Sequence, residues 1–217
     1  MKSIILLCLL IFHPNHILLA PTSSSTNSYD YSSYSATSTN MNLSGESISS
    51  TTSGQSAVYI SNTGITITDS TITKSGDYSD SSESTEFYGV NAAVLVQGGG
   101  LTMTGGTIET SAIGGNAIVA TNQGTVEISG TTIKSTASSS ARGLHATYGG
   151  STTNSKVTIS TTGGSCASLA TDRGEGTVTC TGCTLSTSGS GSPLIYSTGS
   201  ITIKDTTGML QGPKLLL

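Results

Sequence analysis

The charged side chains that could do chemistry are few in this sequence, and the densest group of them is Asp172, Arg173 and Glu175. Charged residues make up 9% of the chain, against about 25% in an ordinary soluble domain. Arg142 and His145 lie earlier in the chain, at a similar point of the preceding copy of a sequence repeat. Two opposed carboxylates in this set would suit glycoside hydrolysis, whereas a corner salt bridge would explain the same residues. Arg142, Asp172, Arg173 and Glu175 are therefore weak catalytic candidates, and we lean towards a protein that is not an enzyme.

A second concentration of charge is the acidic segment at residues 77–86. Asp77, Asp80 and Glu83 offer oxygen ligands at close spacing, which is the ligand type that Ca²⁺ prefers. The segment has no EF-hand-like ligand register, and acidic loops of this kind are commonly just solvated. We hold the three carboxylates as weak Ca²⁺ candidates and predict no required cofactor.

Three cysteines remain when Cys8 of the N-terminal segment is set aside, namely Cys166, Cys180 and Cys183. If the chain is secreted, its cysteines can form disulfides, and an odd number of cysteines leaves one thiol unpaired. Cys180 occupies an inward position of the repeat and could be plain core, so the pairing stays open. A zinc site at Cys180 and Cys183 would lack its second half.

The N-terminus is typical of a secretory signal peptide, because Lys2 precedes an apolar run at residues 4–12. The run is shorter than the roughly 20 apolar residues that span a bilayer as a helix. We predict a signal peptide at residues 1–20, an extracellular location and no membrane span. Residues 21–40 carry almost no aliphatic side chain and are predicted to be a Ser/Thr-rich flexible linker.

The body of the chain repeats a short alternating apolar/polar tetrapeptide about every 22 to 25 residues, if insertions at residues 77–88 and 149–155 are allowed for. Its copies are residues 41–44, 65–68, 101–104, 126–129, 157–160, 178–181 and 201–204. Such alternation predicts a strand with one buried face, and two further short segments complete each repeat. We predict an all-β, single-stranded parallel β-helix of about six coils, right-handed by the crossover rule. A β-sandwich would not require a constant period.

We place this β-helix at residues 41–208, and residues 209–217 fit no coil. The last coil is therefore expected to lack a complete C-terminal cap, which invites self-association through open coil ends. The alternative is that the apolar tail folds over the end.

The third segment of each repeat predicts a stripe of bulky side chains on the outside of the solenoid. With residues 58, 94, 118, 144, 168 and 195 pointing inward, the stripe would consist of Tyr59, Leu95, Val119, His145, Leu169 and Tyr196. An exposed apolar stripe marks a binding surface, and aromatic rings suit the faces of sugars. We predict ligand-binding roles for Tyr59, His145, Tyr148 and Tyr196. Alternatively, the insertion at residues 77–88 covers the stripe.

The tetrapeptide strands place hydroxyl side chains outward in a ladder. The predicted ladder consists of Thr66, Thr68, Thr102, Thr104, Glu127, Ser129, Thr158, Ser160, Thr179, Thr181, Thr202 and Lys204. It resembles the flat Thr-x-Thr face of ice-binding β-helices, although Glu127 and Lys204 interrupt it. With 8 Lys and Arg in total, the chain has no basic stripe for nucleic acid.

Residues 89–95, 170–174 and 192–199 resemble secreted, adhesin-like proteins of the pectin-lyase-like superfold, and the resemblance covers about residues 41–205. It implies an extracellular binding or adhesion module whose partner is a polysaccharide or a cell-surface glycan. In polysaccharide lyases of this superfold, an arginine acts as base beside a metal held by carboxylates. That would assign Arg173 or Arg142 as base, and Asp172 or Glu175 as ligand.

Overall fold

The computed structural model describes residues 35–36, 41–78 and 82–211, which form a parallel β-solenoid of about six turns. Three sheets of seven strands each run along it. Successive strands of the chain belong to sheets 1, 2 and 3 in turn, and we call each set of three a rung. Each inner strand pairs in parallel with the strands three places before and after it, and the strands of the first and last rungs pair on one side. The predicted all-β solenoid is confirmed.

The strands are short and regular. Sheet 1 contains β1 (Ser35–Ala36), β4 (Val58–Ser61), β7 (Val94–Gln97), β10 (Ile118–Thr121), β13 (Leu144–Ala146), β16 (Leu169–Thr171) and β19 (Ile195–Ser197). Sheet 2 contains β2 (Met41–Ser44), β5 (Gly64–Thr68), β8 (Gly100–Thr104), β11 (Thr125–Ser129), β14 (Ser151–Ser155), β17 (Thr177–Thr181) and β20 (Ser200–Lys204). Sheet 3 contains β3 (Ser47–Ser50), β6 (Thr71–Lys74), β9 (Thr107–Thr110), β12 (Thr132–Ser135), β15 (Thr158–Thr161), β18 (Thr184–Thr187) and β21 (Thr207–Leu210). One helix, α1 (Ser82–Phe87), lies between β6 and β7.

The core consists of aliphatic columns in which the same position of successive rungs is stacked. Neighbouring strands lie about 4.8 Å apart, so each buried side chain packs directly on its counterpart in the next rung. The main column of sheet 3 contains Ile48, Ile72, Ile108, Ile133, Ile159 and Leu185. Alternate residues of each strand point outward, and most of these carry hydroxyls, as the two-residue period of a strand requires.

Rung 5 departs from the predicted repeat. Residues 149–155, predicted as an insertion, contain β14, which pairs with β11 and β17 in sheet 2. Residues 157–160, predicted as the tetrapeptide strand, instead coincide largely with β15 of sheet 3. The outward ladder of sheet 2 therefore contains Thr153 and Ser155, and the placement of Thr158 and Ser160 in it is wrong.

Rung 5 departs from the predicted repeat because the inward positions of β14 are polar. Thr152 and Asn154 are buried where neighbouring rungs carry aliphatic side chains. The Asn154 amide donates hydrogen bonds to Thr152 Oγ1 at 3.0 Å and to the Thr179 carbonyl at 2.8 Å. These bonds offset part of the cost of burying polar groups. The two polar side chains break the apolar/polar alternation by which the strand could be recognised in the sequence.

The first position of the corner between sheets 2 and 3 is in the left-handed region in every rung, with φ between +45° and +70°. These residues are Gly45, Asp69, Gly105, Gly130, Lys156, Gly182 and Asp205. Glycine adopts this conformation without the steric cost that a Cβ atom brings. Four of the seven residues at this corner position are glycines for this reason.

Both ends of the solenoid differ slightly from the predicted boundaries. Strand β21 pairs with β18, so the repeat continues past residue 208 to Leu210. At the other end β1 lies within the predicted linker, and the predicted signal peptide lies outside the described residues. The large apolar side chains that are exposed in the described chain all belong to rung 7: Ile195, Tyr196, Ile203, Met209 and Leu210. No helix among the described residues has the length and apolar character to cross a membrane.

Alanine substitutions at two corner glycines of adjacent rungs should differ in cost. At Gly130, with φ +63°, a Cβ atom meets nothing within 4 Å, whereas at Gly106, with φ +71°, it lies 2.2 Å from the Ser70 carbonyl oxygen. We expect Gly130→Ala to lower the free energy of unfolding by about 1 kcal/mol, and Gly106→Ala to lower it clearly more because the backbone must shift. Chemical denaturation measures both, and equal losses would contradict the described corner.

Candidate functional site

The described parts of the long connection after β6, residues 75–78 and 82–93, fold over the outer face of sheet 1. The connection and sheet 1 form a small apolar cluster beside the main core. In this cluster Leu95 and Val119 have no exposed surface and pack with Val90 of the connection. A Cβ atom on Gly89 would lie within 3 Å of both Leu95 and Val119. The prediction of an open apolar stripe is therefore wrong in the middle of the solenoid, where the insertion covers it.

The four predicted ligand-binding residues lie in different surroundings. Tyr59 is half-buried, and its hydroxyl donates to Gln97 Oε1 at 2.7 Å. His145 has no exposed surface, so its predicted place on an open binding face is wrong. Tyr196 is 42% exposed, and Tyr148 is half-buried at the corner that follows β13.

The outward assignment of Leu169 is also wrong. Leu169 pairs with Leu144 and Ile195 and points into the core, so that Ala170 follows His145 in the outward column. A shift by one residue moves a strand's whole apolar set to the other face. The pattern around Ser168 did not distinguish the two registers.

The predicted catalytic candidates Arg142, Asp172 and Arg173 lie in two separate groups. The first group surrounds Arg142. Its Nη2 atom lies 3.5 Å from Glu86 Oε2 and 3.9 Å from Asp172 Oδ2. Its guanidinium carbon is 5.8 Å from the centre of the Tyr196 ring. Since Arg142 is 7% exposed, this cluster ties α1 to sheet 1. Glu86 lies so far from Arg142 in the sequence that no local pattern could link them.

His145 lies close enough to Arg142 for the guanidinium charge to act on its ring. Within the part of the chain that the structure describes, neither ring nitrogen has a hydrogen-bond partner. Burial, and secondarily the charge of Arg142, lowers the pKa of His145 well below its usual 6.5. The folded protein therefore holds His145 neutral.

The titration of His145 should make stability depend on pH. The unfolded chain binds a proton below pH 6.5 that the folded chain resists, so stability is lost as the pH falls below that value. Relative to His145→Leu, the wild type should lose up to about 1.4 kcal/mol more per pH unit. Denaturation at a series of pH values measures the difference between the two proteins, and parallel curves would show that His145 does not titrate in this way.

The second group is formed by Arg173 and residues of the insertion. Arg173 Nη1 lies 3.3 Å from Glu83 Oε1, and its guanidinium carbon is 4.1 Å from the centre of the Phe87 ring. Tyr88 stacks on Tyr148 with ring centres 5.4 Å apart and planes inclined by 15°. We call Phe87, Tyr88, Tyr148 and Arg173 the aromatic corner. A hydrogen bond with Tyr88, together with burial, raises the pKa of Tyr148, against the opposing charge of Arg173.

Two arginines thus contact α1 in different ways, and their alanine variants should differ in stability. Removing the nearly buried Arg142 leaves the carboxylates of Glu86 and Asp172 without their cation. We expect the free energy of unfolding to fall by about 3 kcal/mol. Removing Arg173, whose pair with Glu83 is more than half exposed, should cost less than about 1 kcal/mol. Thermal and chemical denaturation measure both. A larger loss for Arg173→Ala would contradict the assignment of Arg142 as the main tether.

Glu175 stands apart from both groups, exposed and with φ +61°. The predicted Ca²⁺ ligands do not converge either. Asp77 Oδ1 accepts a hydrogen bond from the Ile113 amide at 2.8 Å, Glu83 pairs with Arg173, and Asp80 lies outside the described residues. Among the residues that the structure describes, no three His, Cys, Asp or Glu side chains come together as metal ligands.

The cysteine pairing that the sequence left open is between Cys180 and Cys183, whose Cα atoms are 6.0 Å apart. Cys180 occupies the core column of Ile128 and Ile203, as its position in the repeat predicted. Cys166 is free and buried, and burial raises the pKa of its thiol. The disulfide joins the end of one strand to the corner that follows it.

A groove of about 270 Å³ opens on the outer face of sheet 2. It is lined by Asn42, Gly64, Ile65, Thr66, Gly100, Leu101, Thr102, Thr125 and Glu127. Gly64 and Gly100 begin β5 and β8, at the position that Thr125 occupies in β11. Two rungs thus lack a side chain where the next rung has one, and this absence makes the groove. The sequence indicates that Gly98, Gly99 and Gly100 form a turn at a coil corner, and it does not indicate a groove.

The comparisons add no further description of this site. Known protein families, characterised proteins and solved structures provide no match to this chain.

Proposed function

We propose that this protein is an extracellular binding module for a linear polysaccharide or cell-surface glycan, which lies along the corner between sheets 1 and 2. The observation that carries the proposal is the groove on sheet 2. It spans four rungs, from Asn42 to Glu127, and its rim consists of amide, hydroxyl and carboxylate groups. These are the groups that hydrogen-bond to sugar hydroxyls.

The spacing of the groove suits a repeating ligand. Thr66 and Thr102 pair in register, as do Thr102 and Glu127, so equivalent side chains recur about every 4.8 Å. That repeat is comparable with the length of one sugar unit in an extended chain. A glycan running along the solenoid could therefore make a similar hydrogen bond at each rung.

The aromatic corner extends the same path. The chain turns from sheet 1 to sheet 2 at Gly98, Asn122 and Tyr148 in successive rungs, and backbone hydrogen bonds connect these corners. The groove begins at this edge of sheet 2, because Gly64 and Gly100 are the first residues of their strands. The stacked ring of Tyr148 lies further along, and aromatic faces pack against the apolar faces of sugars.

The extracellular location is supported by the disulfide between Cys180 and Cys183, because disulfides persist mainly in oxidising compartments. It agrees with the predicted signal peptide. Catalysis is not part of the proposal, since the guanidinium of Arg142 is occupied by Glu86 and Asp172 in a nearly buried cluster.

Filling the groove should abolish glycan binding without harming the fold. At Gly64 a Cβ atom meets nothing within 4 Å and the backbone is not in the left-handed region. Gly64→Thr therefore adds the side chain that β11 already carries at this position, in a strand where Thr is favourable. We expect the variant to lose binding on a glycan array and in calorimetry while its thermal stability is kept or raised.

The matched control is Ser151→Thr, which enlarges the same outward column in β14, outside the groove. It should bind like the wild type. If the wild type binds no glycan on the array, the proposal fails. If Gly64→Thr binds as well as Ser151→Thr, the groove is not the site.

A further inference from the structure

We infer that the groove selects glycans that carry amino groups, and that the Glu127 carboxylate is the group that recognises them. This inference rests on the proposed function and names the class of sugar. Glu127 is exposed on the outer face of β11, at the end of the groove. The other polar lining side chains belong to Asn42, Thr66, Thr102 and Thr125, which are uncharged.

The surroundings of Glu127 leave its charge unneutralised. Its partners in register are Thr102 and Thr153, and no ion pair to it is found among the described residues. Glu109, on the outer face of sheet 3, is different, because Lys134 of the next strand lies 3.0 Å away. One of the two strand glutamates is thus already paired, and the one in the groove is not.

An ammonium group on a sugar would complete this arrangement. It would donate a charge-assisted hydrogen bond to the Glu127 carboxylate, which is stronger than a bond between neutral groups. The hydroxyls of Thr66 and Thr102 remain for the sugar hydroxyls of adjacent units. A polymer of uronic acids would instead bring negative charge to Glu127, in a chain whose net charge is already −4.

The experiment compares two oligosaccharides of equal length and linkage, one of glucosamine and one fully N-acetylated. Binding to the full chain is measured by calorimetry at a pH where the amines are protonated. We expect the glucosamine form to bind about tenfold more tightly, as a charge-assisted hydrogen bond allows. Glu127→Gln should remove this preference, so that the two oligosaccharides bind with similar affinity.

Glu109→Gln is the matched control, since it removes one exposed strand carboxylate of the same chain outside the groove. It should keep the preference for glucosamine. Equal binding of the two oligosaccharides, with no effect of Glu127→Gln, would overturn this inference while leaving the proposed function standing. An equal loss in both variants would mean that net charge attracts the amines, which also overturns the role of Glu127. If no glycan of the array binds, the proposed function falls, and the inference falls with it.

Discussion

The parallel stacking of each rung on the next is the constraint on which the rest of the molecule depends. Because backbone hydrogen bonds fix the register, a side chain is inward or outward according to its position in the rung. The same register aligns like residues, so aliphatic columns fill the core and hydroxyls cover the outer faces of sheets 2 and 3. The groove follows from this order, because the glycines at 64 and 100 remove two members of one outward column. A recess can thus form without any change of backbone path.

Several polar groups of the interior have hydrogen-bond partners in the corners. Ser135 and Thr161, at the ends of sheet 3 strands, donate to carbonyls of the following corners. In rung 2 the same column contains Lys74, whose amine donates to the carbonyls of Thr52 and Gly76, each at 3.0 Å, and of Ser75. Burial lowers the pKa of Lys74 to about 8, against the opposing effect of Asp77.

The fold could be predicted from the sequence because alternation and period survive in most rungs. The prediction was wrong at β14, where Thr152 and Asn154 replace the aliphatic signal, and at β16, where small residues allow two registers for Leu169. The site was harder to predict, because it depends on contacts between distant segments. Neither the approach of Glu86 to Arg142 nor the stacking of Tyr88 on Tyr148 has a sequence signature. Glycines at the start of β5 and β8 looked like ordinary turn residues, since a missing side chain matters only when its neighbours in the column are known.

The insertion after β6 decides which face of the solenoid remains available for a ligand. Without it, Leu95 and Val119 would be exposed on sheet 1, and an apolar stripe of that size would favour association with a partner or with other copies. By covering these side chains, residues 78 and 88–92 convert the stripe into a second small core. Their aromatic side chains at 87 and 88 then reach the corner beside Tyr148 and Arg173. The outer face of sheet 2 remains mostly polar, and among the described residues Glu127 on this face forms no ion pair.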